Sequence, residues 1–293
     1  MMRSFKYEKF TDLDNALASL RSGGSAKILA GGTDLLLKIK HGMFGSQKVL
    51  DISGIENLNY IKEDNGFVKI GACSRLSFIE KNANIQKNAE FLSEVIAEIG
   101  PPEIRNVGTI GGNICAAGAN CGVCFLPGCR GMTGDRSVLP CQNAAYADSL
   151  LPLVAFDAFV TLKTVDNERV VLVSDLQKDN GRLDLKPDEI LTEIAFETRN
   201  ASGWKYERFR HPESMGLPLV CVAVSKRGEK FNLVIGGSTK RLYRFADLSP
   251  EEIISISERV AFCSCLKFSE NFRKKILKLM IGDSIMKANG GRN

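Results

Sequence analysis

Residues Thr109 to Asn113 read Thr-Ile-Gly-Gly-Asn and open the stretch around which this chain is organised, which ends at Pro152. Two adjacent glycines lack Cβ atoms, so the backbone there can approach a bound group closely. The stretch then carries five of the nine cysteines and closes on Asp148-Ser149-Leu150, where a helix is predicted to begin. The sequence therefore predicts a binding loop, a cysteine-rich insert and a helix in succession.

A second glycine turn, Ala-Gly-Gly-Thr-Asp-Leu, occupies Ala30 to Leu35. It lies between the predicted strand Lys27–Ala30 and a helix predicted to start at Asp34, and Val49–Ile52 is predicted as the next strand of a βαβ-like unit. Glycines at this place expose backbone N–H groups to an anion, which the helix dipole also favours. Alone the pattern is more often a plain turn, and it is not the G-x-G-x-x-G fingerprint. Two such turns suit a ligand with two phosphates and an extended body.

Asp148 is a candidate hydrogen-bond partner for hydroxyl groups of that ligand. Its position at a predicted helix start also fits an N-cap, whose side chain accepts a backbone N–H of the first turn. The pattern leaves both roles open. The chain offers few other catalytic groups, because His41 and His211 are the only histidines and neither lies in a hydrolase motif. A bound cofactor would therefore carry the chemistry.

The insert, residues 114–146, has almost no periodic apolar pattern and is rich in glycine and cysteine. Such a long loop without secondary structure is uncommon unless it is functional, and a metal site can replace the missing core. Four thiolates with the spacing x2, x4 and x11 fit zinc or an iron–sulfur cluster. The single close pair followed by wider gaps favours the cluster, with zinc and metal-free cysteines as alternatives. The proposed ligands are Cys121, Cys124, Cys129 and Cys141, with Cys115 in reserve.

The bulk composition fits an ordinary soluble protein, with 293 residues, 44% hydrophobic residues and a net charge of +5. The basic residues are scattered, which gives nucleic-acid binding little support. We expect no membrane span, since the longest apolar stretch, Leu150 to Leu162, is short and contains Asp157. No signal peptide is visible, so we expect a cytoplasmic protein. In a reducing compartment the cysteines point to metal or redox chemistry and not to disulfides.

The predicted fold class is α+β, with two domains. Residues 1–182 form the ligand-binding domain, in subdomains of about 1–55 and 56–182, and residues 183–293 form a small antiparallel sheet with helices. The second domain is predicted to contain the elements Glu189–Ile194, Gly203–Arg210, Leu219–Ser225, Phe231–Gly236, Pro250–Arg259 and Asn271–Met286.

Three segments together resemble the FAD-binding segments in the flavin (medium) subunits of molybdenum hydroxylases, such as xanthine dehydrogenase and carbon monoxide dehydrogenase. They are Ala30–Leu35, Ile104–Asn113 and Ala147–Pro152. Each alone is unspecific, whereas the combination is specific and the resemblance covers nearly the whole chain. The insert resembles that of the 4-hydroxybenzoyl-CoA reductase flavin subunit, which holds a [4Fe–4S] cluster, although the cysteine spacing here is more compact.

The resemblance implies an FAD- and [4Fe–4S]-containing electron-transfer subunit of a molybdenum-dependent oxidoreductase, with the FAD pyrophosphate on the two glycine loops. It implies as partners a large subunit with the molybdenum cofactor, a small subunit with [2Fe–2S] centres, and an external carrier such as NAD or a ferredoxin-like protein. The implied FAD contacts are Ala30, Gly31, Gly32, Thr33, Asp34, Leu35, Ile104, Thr109, Gly111, Gly112, Asn113 and Asp148. Two alternatives stay open: a subunit of a non-molybdenum reductase, and a zinc-stapled scaffold whose glycine loops are only turns.

Overall fold

A computed structural model describes residues 4–22, 24, 26–40, 48–117, 147–179, 181–197, 201–210, 218–239, 241–253, 255–262 and 268–290. The predicted cluster ligands and both histidines lie outside these ranges: Cys121, Cys124, Cys129, Cys141, His41 and His211. The described elements form one parallel and two antiparallel sheets with surrounding helices, which confirms the predicted α+β class.

The strands, in chain order, are β1 (Lys6–Lys9), β2 (Ala26–Leu29), β3 (Lys48–Asp51), β4 (Ile61–Asp64), β5 (Phe67–Gly71), β6 (Phe159–Lys163), β7 (Glu168–Leu172), β8 (Ile190–Glu197), β9 (Gly203–Arg210), β10 (Pro218–Arg227), β11 (Lys230–Gly237) and β12 (Tyr243–Leu248). The α-helices are α1 (Leu13–Ser22), α2 (Leu35–Lys40), α3 (Leu76–Lys81), α4 (Ala83–Asn88), α5 (Glu90–Ala97), α6 (Pro102–Arg105), α7 (Ile110–Ala116), α8 (Leu150–Ala155), α9 (Val173–Leu176), α10 (Pro250–Ile253) and α11 (Glu270–Ala288).

The N-terminal sheet has the strand order β1-β3-β2, and its pairs are parallel. Since β2 and β3 are parallel neighbours with α2 between them in the chain, the predicted βαβ-like unit is confirmed. The first glycine turn joins β2 to α2, which places it at the carboxyl end of a parallel strand. Ligands in open α/β sheets bind at such ends.

The second sheet has the order β4-β5-β8-β6-β7 and is antiparallel throughout. Its first hairpin turns at Asn65-Gly66, both with positive φ, as the Asn-Gly signal predicts. Strand β8 was expected to open the C-terminal domain, but it pairs with β5 and β6 at the centre of this sheet. The polar stretch 181–187 is thus a connection into a buried strand, and a division that follows the sheets would lie after Glu197, not after residue 182.

The third sheet has the order β12-β11-β10-β9 and is covered by α11. The strands β9, β10 and β11 confirm the prediction, whereas β12 was not predicted. The sequence pattern places Phe272, Ile276, Leu279 and Met280 on one face of α11, yet Leu279 is 71% exposed and Phe272 is 36% exposed. The helix buries Arg273 and Leu277. The Arg273 guanidinium donates to the hydroxyl of Ser238 at 2.9 Å, so a charged residue outside that apolar pattern is buried.

Across the described ranges, every helix is too short or too polar to cross a bilayer.

Candidate functional site

A cavity of about 470 Å³ lies between the two glycine loops and the connection into β8. This size is usual for a small-molecule site. The structure brings nearly all of the predicted FAD contacts to its wall, from two loops that are far apart in the chain. These lining residues are Ala30, Gly31, Gly32, Thr33, Asp34, Leu35, Ile104, Thr109, Gly111, Gly112 and Asn113. Of the predicted set, only Asp148 does not line the cavity.

The two loops touch backbone to backbone at Gly31. A Cβ atom added to Gly31 would lie 2.2 Å from the carbonyl oxygen of Val107 and 2.8 Å from the Cα of Gly108. Gly111 is similarly constrained, since its Cβ would lie 2.7 Å from the Cβ of Ala72. These glycines therefore serve close packing that closes one side of the cavity.

The first loop presents a run of unused backbone donors. The N–H groups of Gly31 to Leu35 donate to no acceptor within the residues that the structure describes, whereas the carbonyls of Gly32 and Asp34 accept from Leu36 and Lys38. Gly32 has a φ of +73°, which favours glycine there. Unpaired donors at a helix start in a cavity wall suit an anion.

The second loop differs, because the amides of its first helical turn are already used. The N–H of Ile110 donates to the Ser74 carbonyl at 3.1 Å, and the N–H of Gly111 donates to the Ala72 carbonyl at 3.0 Å. The N–H of Gly112 donates to the side-chain oxygen of Thr109 at 3.2 Å. The two glycine loops therefore differ: the unused backbone donors belong to the first loop, whereas the first-turn amides of the second loop are hydrogen-bonded within the protein.

Four basic residues in the cavity wall were missed by the sequence analysis: Lys27, Lys38, Arg182 and Lys186. Lys38 is the most informative, because its side chain is only 2% exposed and its Nζ lies 2.7 Å from the carboxylate of Asp34. The i,i+4 spacing of Asp34 and Lys38 on a predicted helix is the signal that could have found this pair.

Glu189, a carboxylate of the same wall, is held by Arg169 of β7, which does not line the cavity, and by Lys186, which does. Arg169 donates to it from Nε at 2.7 Å, and the N–H of Lys186 donates at 2.8 Å. Burial opposes the charged form, but these hydrogen bonds prevail and the pKa of Glu189 is lowered. The ion pair therefore holds the connection into β8 against β7 and stiffens this side of the cavity.

Asp148 binds Arg208 of β9. Its Oδ1 accepts from the Arg208 guanidinium at 2.6 Å, and Nε of Arg208 lies 2.7 Å from a carboxylate oxygen of Glu98. Burial works against the charged guanidinium, yet the two carboxylates outweigh it and the pKa of Arg208 is raised. The N-cap position of α8 is Ser149, whose hydroxyl donates to the Asn113 side chain at 2.6 Å. Asp148 thus ties the start of α8 to the third sheet.

We expect Asp148→Asn to lower the free energy of unfolding by about 2 kcal/mol, because it leaves a 5% exposed guanidinium short of one carboxylate while Glu98 still pairs with it. FAD affinity should change little. Denaturant unfolding and flavin titration measure the two effects. Asp166→Asn is the control. Its ion pair with Arg21 is exposed, so its loss should lower the free energy of unfolding by about 0.5 kcal/mol or less. A large loss of FAD affinity with normal stability would instead favour the predicted ligand contact.

The described cysteines are not arranged as a metal site. Cys73 and Cys221 are buried, as expected for ordinary packing residues, and Cys115 lines the cavity. Burial raises the pKa of the Cys115 thiol to about 12. No group of three metal-ligand side chains occurs within the described ranges.

The chain is similar to several proteins of known kind. The model of a family described as "FAD binding domain in molybdopterin dehydrogenase" matches residues 3–196. The 6-hydroxypseudooxynicotine dehydrogenase complex subunit alpha of Paenarthrobacter nicotinovorans is 27% identical over 245 residues, which cover 80% of this chain and 74% of that protein. The xanthine dehydrogenase FAD-binding subunit of Escherichia coli O157:H7 is 27% identical over 191 residues, which cover 65% of this chain and 56% of that protein.

Among solved structures, a chain of carbon monoxide dehydrogenase from Hydrogenophaga pseudoflava superposes with a TM-score of 0.81, 21% identity and 98% coverage of both chains. That likeness supports the fold. The family match covers well over half of the chain and includes both glycine loops and the segment around Asp148. This chain therefore belongs to the family of FAD-binding domains in molybdopterin dehydrogenases.

Proposed function

We propose that the chain binds FAD in the cavity between the glycine loops and is the electron-transfer subunit of a molybdenum-dependent oxidoreductase. The observation that carries the proposal is the run of unused backbone donors from Gly31 to Leu35 in the wall of that cavity. Bound FAD would supply the chemistry, since a flavin takes up electrons and passes them on.

The residues present fit this cofactor. The donors of the first loop match a pyrophosphate, which needs several N–H groups and nearby positive charge, and the Lys38 ammonium offsets the Asp34 carboxylate beside them. Apolar side chains of Leu76, Leu183 and Leu185 line other parts of the wall and suit a planar ring. The chain's own work would be to hold the cofactor, orient it and exclude water from it.

The proposed partners are a large subunit with the molybdenum cofactor and a small subunit with [2Fe–2S] centres, together with an external carrier, NAD or a ferredoxin-like protein. Membership of the family supports this assembly, as does a relative named as a subunit of a dehydrogenase complex. A flavin subunit of a non-molybdenum reductase is the second candidate, and molybdenum analysis of the intact complex separates the two. We place the protein in the cytoplasm, where free thiols persist.

We further propose that the insert holds a [4Fe–4S] cluster on Cys121, Cys124, Cys129 and Cys141, which lie outside the described residues. Two observations support the position of the insert beside the cavity. Ala117, the last described residue at the start of the insert, and Ala147, which directly follows the insert, are 1% and 2% exposed and belong to the core. Ala116, also at the start of the insert, lines the cavity.

An anaerobic absorbance spectrum, with flavin, iron, sulfide and zinc assays on the purified chain, tests these proposals. We expect flavin bands, a broad brown shoulder and about four iron atoms per chain. Cys124→Ser should lose the iron and keep the flavin, because it removes one thiolate ligand. Cys115→Ser should keep both and is the matched control.

Other results would redirect the interpretation. Full iron in Cys124→Ser would contradict the ligand set, and loss of iron in Cys115→Ser would bring the reserve ligand into it. Yellow protein without iron would leave the flavin proposal and remove the cluster. Colourless protein with stoichiometric zinc would favour the scaffold alternative.

A further inference from the structure

A second cavity, of about 510 Å³, has a separate set of lining residues and no role in the proposed function. It lies between α9, the beginning of β12 and a 3₁₀ turn at Ile256–Arg259. Three guanidinium groups line it, from Arg241, Arg244 and Arg259, against one carboxylate, that of Asp175. The wall is therefore electropositive.

Two of the three arginines are only weakly committed to ion-pair partners. Arg241 pairs with Asp179, whose side chain is 91% exposed, and Arg259 makes no ion pair with any described residue. An exposed ion pair contributes little free energy, so an anionic ligand can replace the one at Arg241. Arg244 is held more firmly, because it pairs with Asp157, whose side chain is only 22% exposed.

Two aromatic rings hold these guanidiniums in place. The guanidinium carbon of Arg259 lies 4.9 Å from the ring centroid of Phe245, and that of Arg241 lies 5.5 Å from the ring centroid of Tyr243. A guanidinium stacked on a ring is already ordered, and its outer face can bind a planar group or a phosphate. Apolar side chains of Val154, Val173 and Leu242 also line the cavity.

We propose that this cavity binds a nucleotide through its phosphate groups and its planar base. Arginine forks bind phosphate by paired charge-assisted hydrogen bonds, and the rings with their stacked guanidiniums offer a surface for the base. A simple inorganic anion would use only the first of these features. The combination of both therefore assigns a nucleotide and not a bare anion.

The site borders the same segment of chain as the flavin cavity. Gln177, in the arginine-lined wall, accepts from the N–H of Leu242 at 2.6 Å and donates to the carbonyl of Gly181 at 3.2 Å. Arg182, the next residue, lines the flavin cavity. A nucleotide bound here would thus contact Gln177, which is hydrogen-bonded to the start of the connection that forms one wall of the flavin site.

Titration calorimetry with ADP on the full chain, kept in excess FAD so that the flavin cavity is filled, tests the proposal. We expect saturable binding of about one ADP per chain that weakens as NaCl rises from about 50 to about 300 mM. The double variant Arg241→Gln/Arg259→Gln should weaken it about tenfold or more, because it removes two charged donors. Inorganic pyrophosphate should bind the wild-type chain about tenfold more weakly than ADP, since it cannot stack.

Two controls accompany this experiment. Arg21→Gln removes an exposed arginine elsewhere and should leave ADP binding unchanged, and thermal melting should confirm that the variants are folded. ADP binding that survives in the double variant would overturn the site. Equal affinity for pyrophosphate and ADP would overturn the nucleotide assignment, and so would the absence of ADP binding at millimolar concentration.

Discussion

Gly31→Val is expected to reduce FAD affinity about a hundredfold or more, which corresponds to at least about 2.7 kcal/mol of binding free energy. The reason is a steric clash between the new side chain and backbone atoms of the second glycine loop. An added Cβ would lie 2.2 Å from the Val107 carbonyl oxygen, an atom that cannot rotate away. The two glycine loops would have to separate, and the donors of Gly31 to Leu35 would move with the first loop.

Flavin fluorescence titration of the apo chain measures this effect, and denaturant unfolding measures the accompanying strain, which should be about 1 to 3 kcal/mol. Gly282→Ala in α11 is the matched control, because its added Cβ would meet nothing within 4 Å. Gly31→Ala tests the same contact with the smallest side chain and should lie between wild type and valine. Near-normal FAD affinity in a folded Gly31→Val chain would contradict the loop assignment.

Much of the fold was predicted from turn and periodicity signals, because each of these depends only on a few neighbouring residues. Asn65-Gly66 specifies its hairpin through positive φ, and the alternation of strand, glycine turn and helix from Lys27 onward specifies the βαβ unit. Strand β8 was misplaced because the polar residues before it look the same in a linker and in a connection within a sheet. Only the pairing with β5 and β6 distinguishes the two cases.

The candidate site, too, depends on contacts that local sequence does not reveal. Both glycine loops were predicted, since their composition is unusual, but their contact at Gly31 and Val107 joins residues far apart in the chain. Which amides are already used depends on Ser74 and Ala72, which carry no motif. The burial of Arg273 in α11 could not be predicted for a related reason: it depends on the hydrogen bond to Ser238, and periodicity treats a charged residue as exposed.

Lys38→Met tests whether charge as well as shape makes the first loop an anion site. The lysine side chain is buried, and methionine keeps much of its volume while removing the ammonium. Asp34 would then place an uncompensated carboxylate beside the loop donors. A pyrophosphate bound there would meet repulsion where the ion pair had been neutral, so we expect FAD affinity to fall about tenfold to a hundredfold.

The partner variant separates electrostatics from packing. Asp34→Asn/Lys38→Met removes both charges, so it should recover most of the affinity that Lys38→Met loses. Lys40→Met, at an exposed lysine of the same helix outside the cavity wall, should have little effect. If the double variant binds FAD as weakly as Lys38→Met alone, the ammonium acts on the cofactor directly and not by neutralising Asp34. If Lys38→Met binds normally, the backbone donors of Gly31 to Leu35 suffice, and the anion site rests on the loop alone.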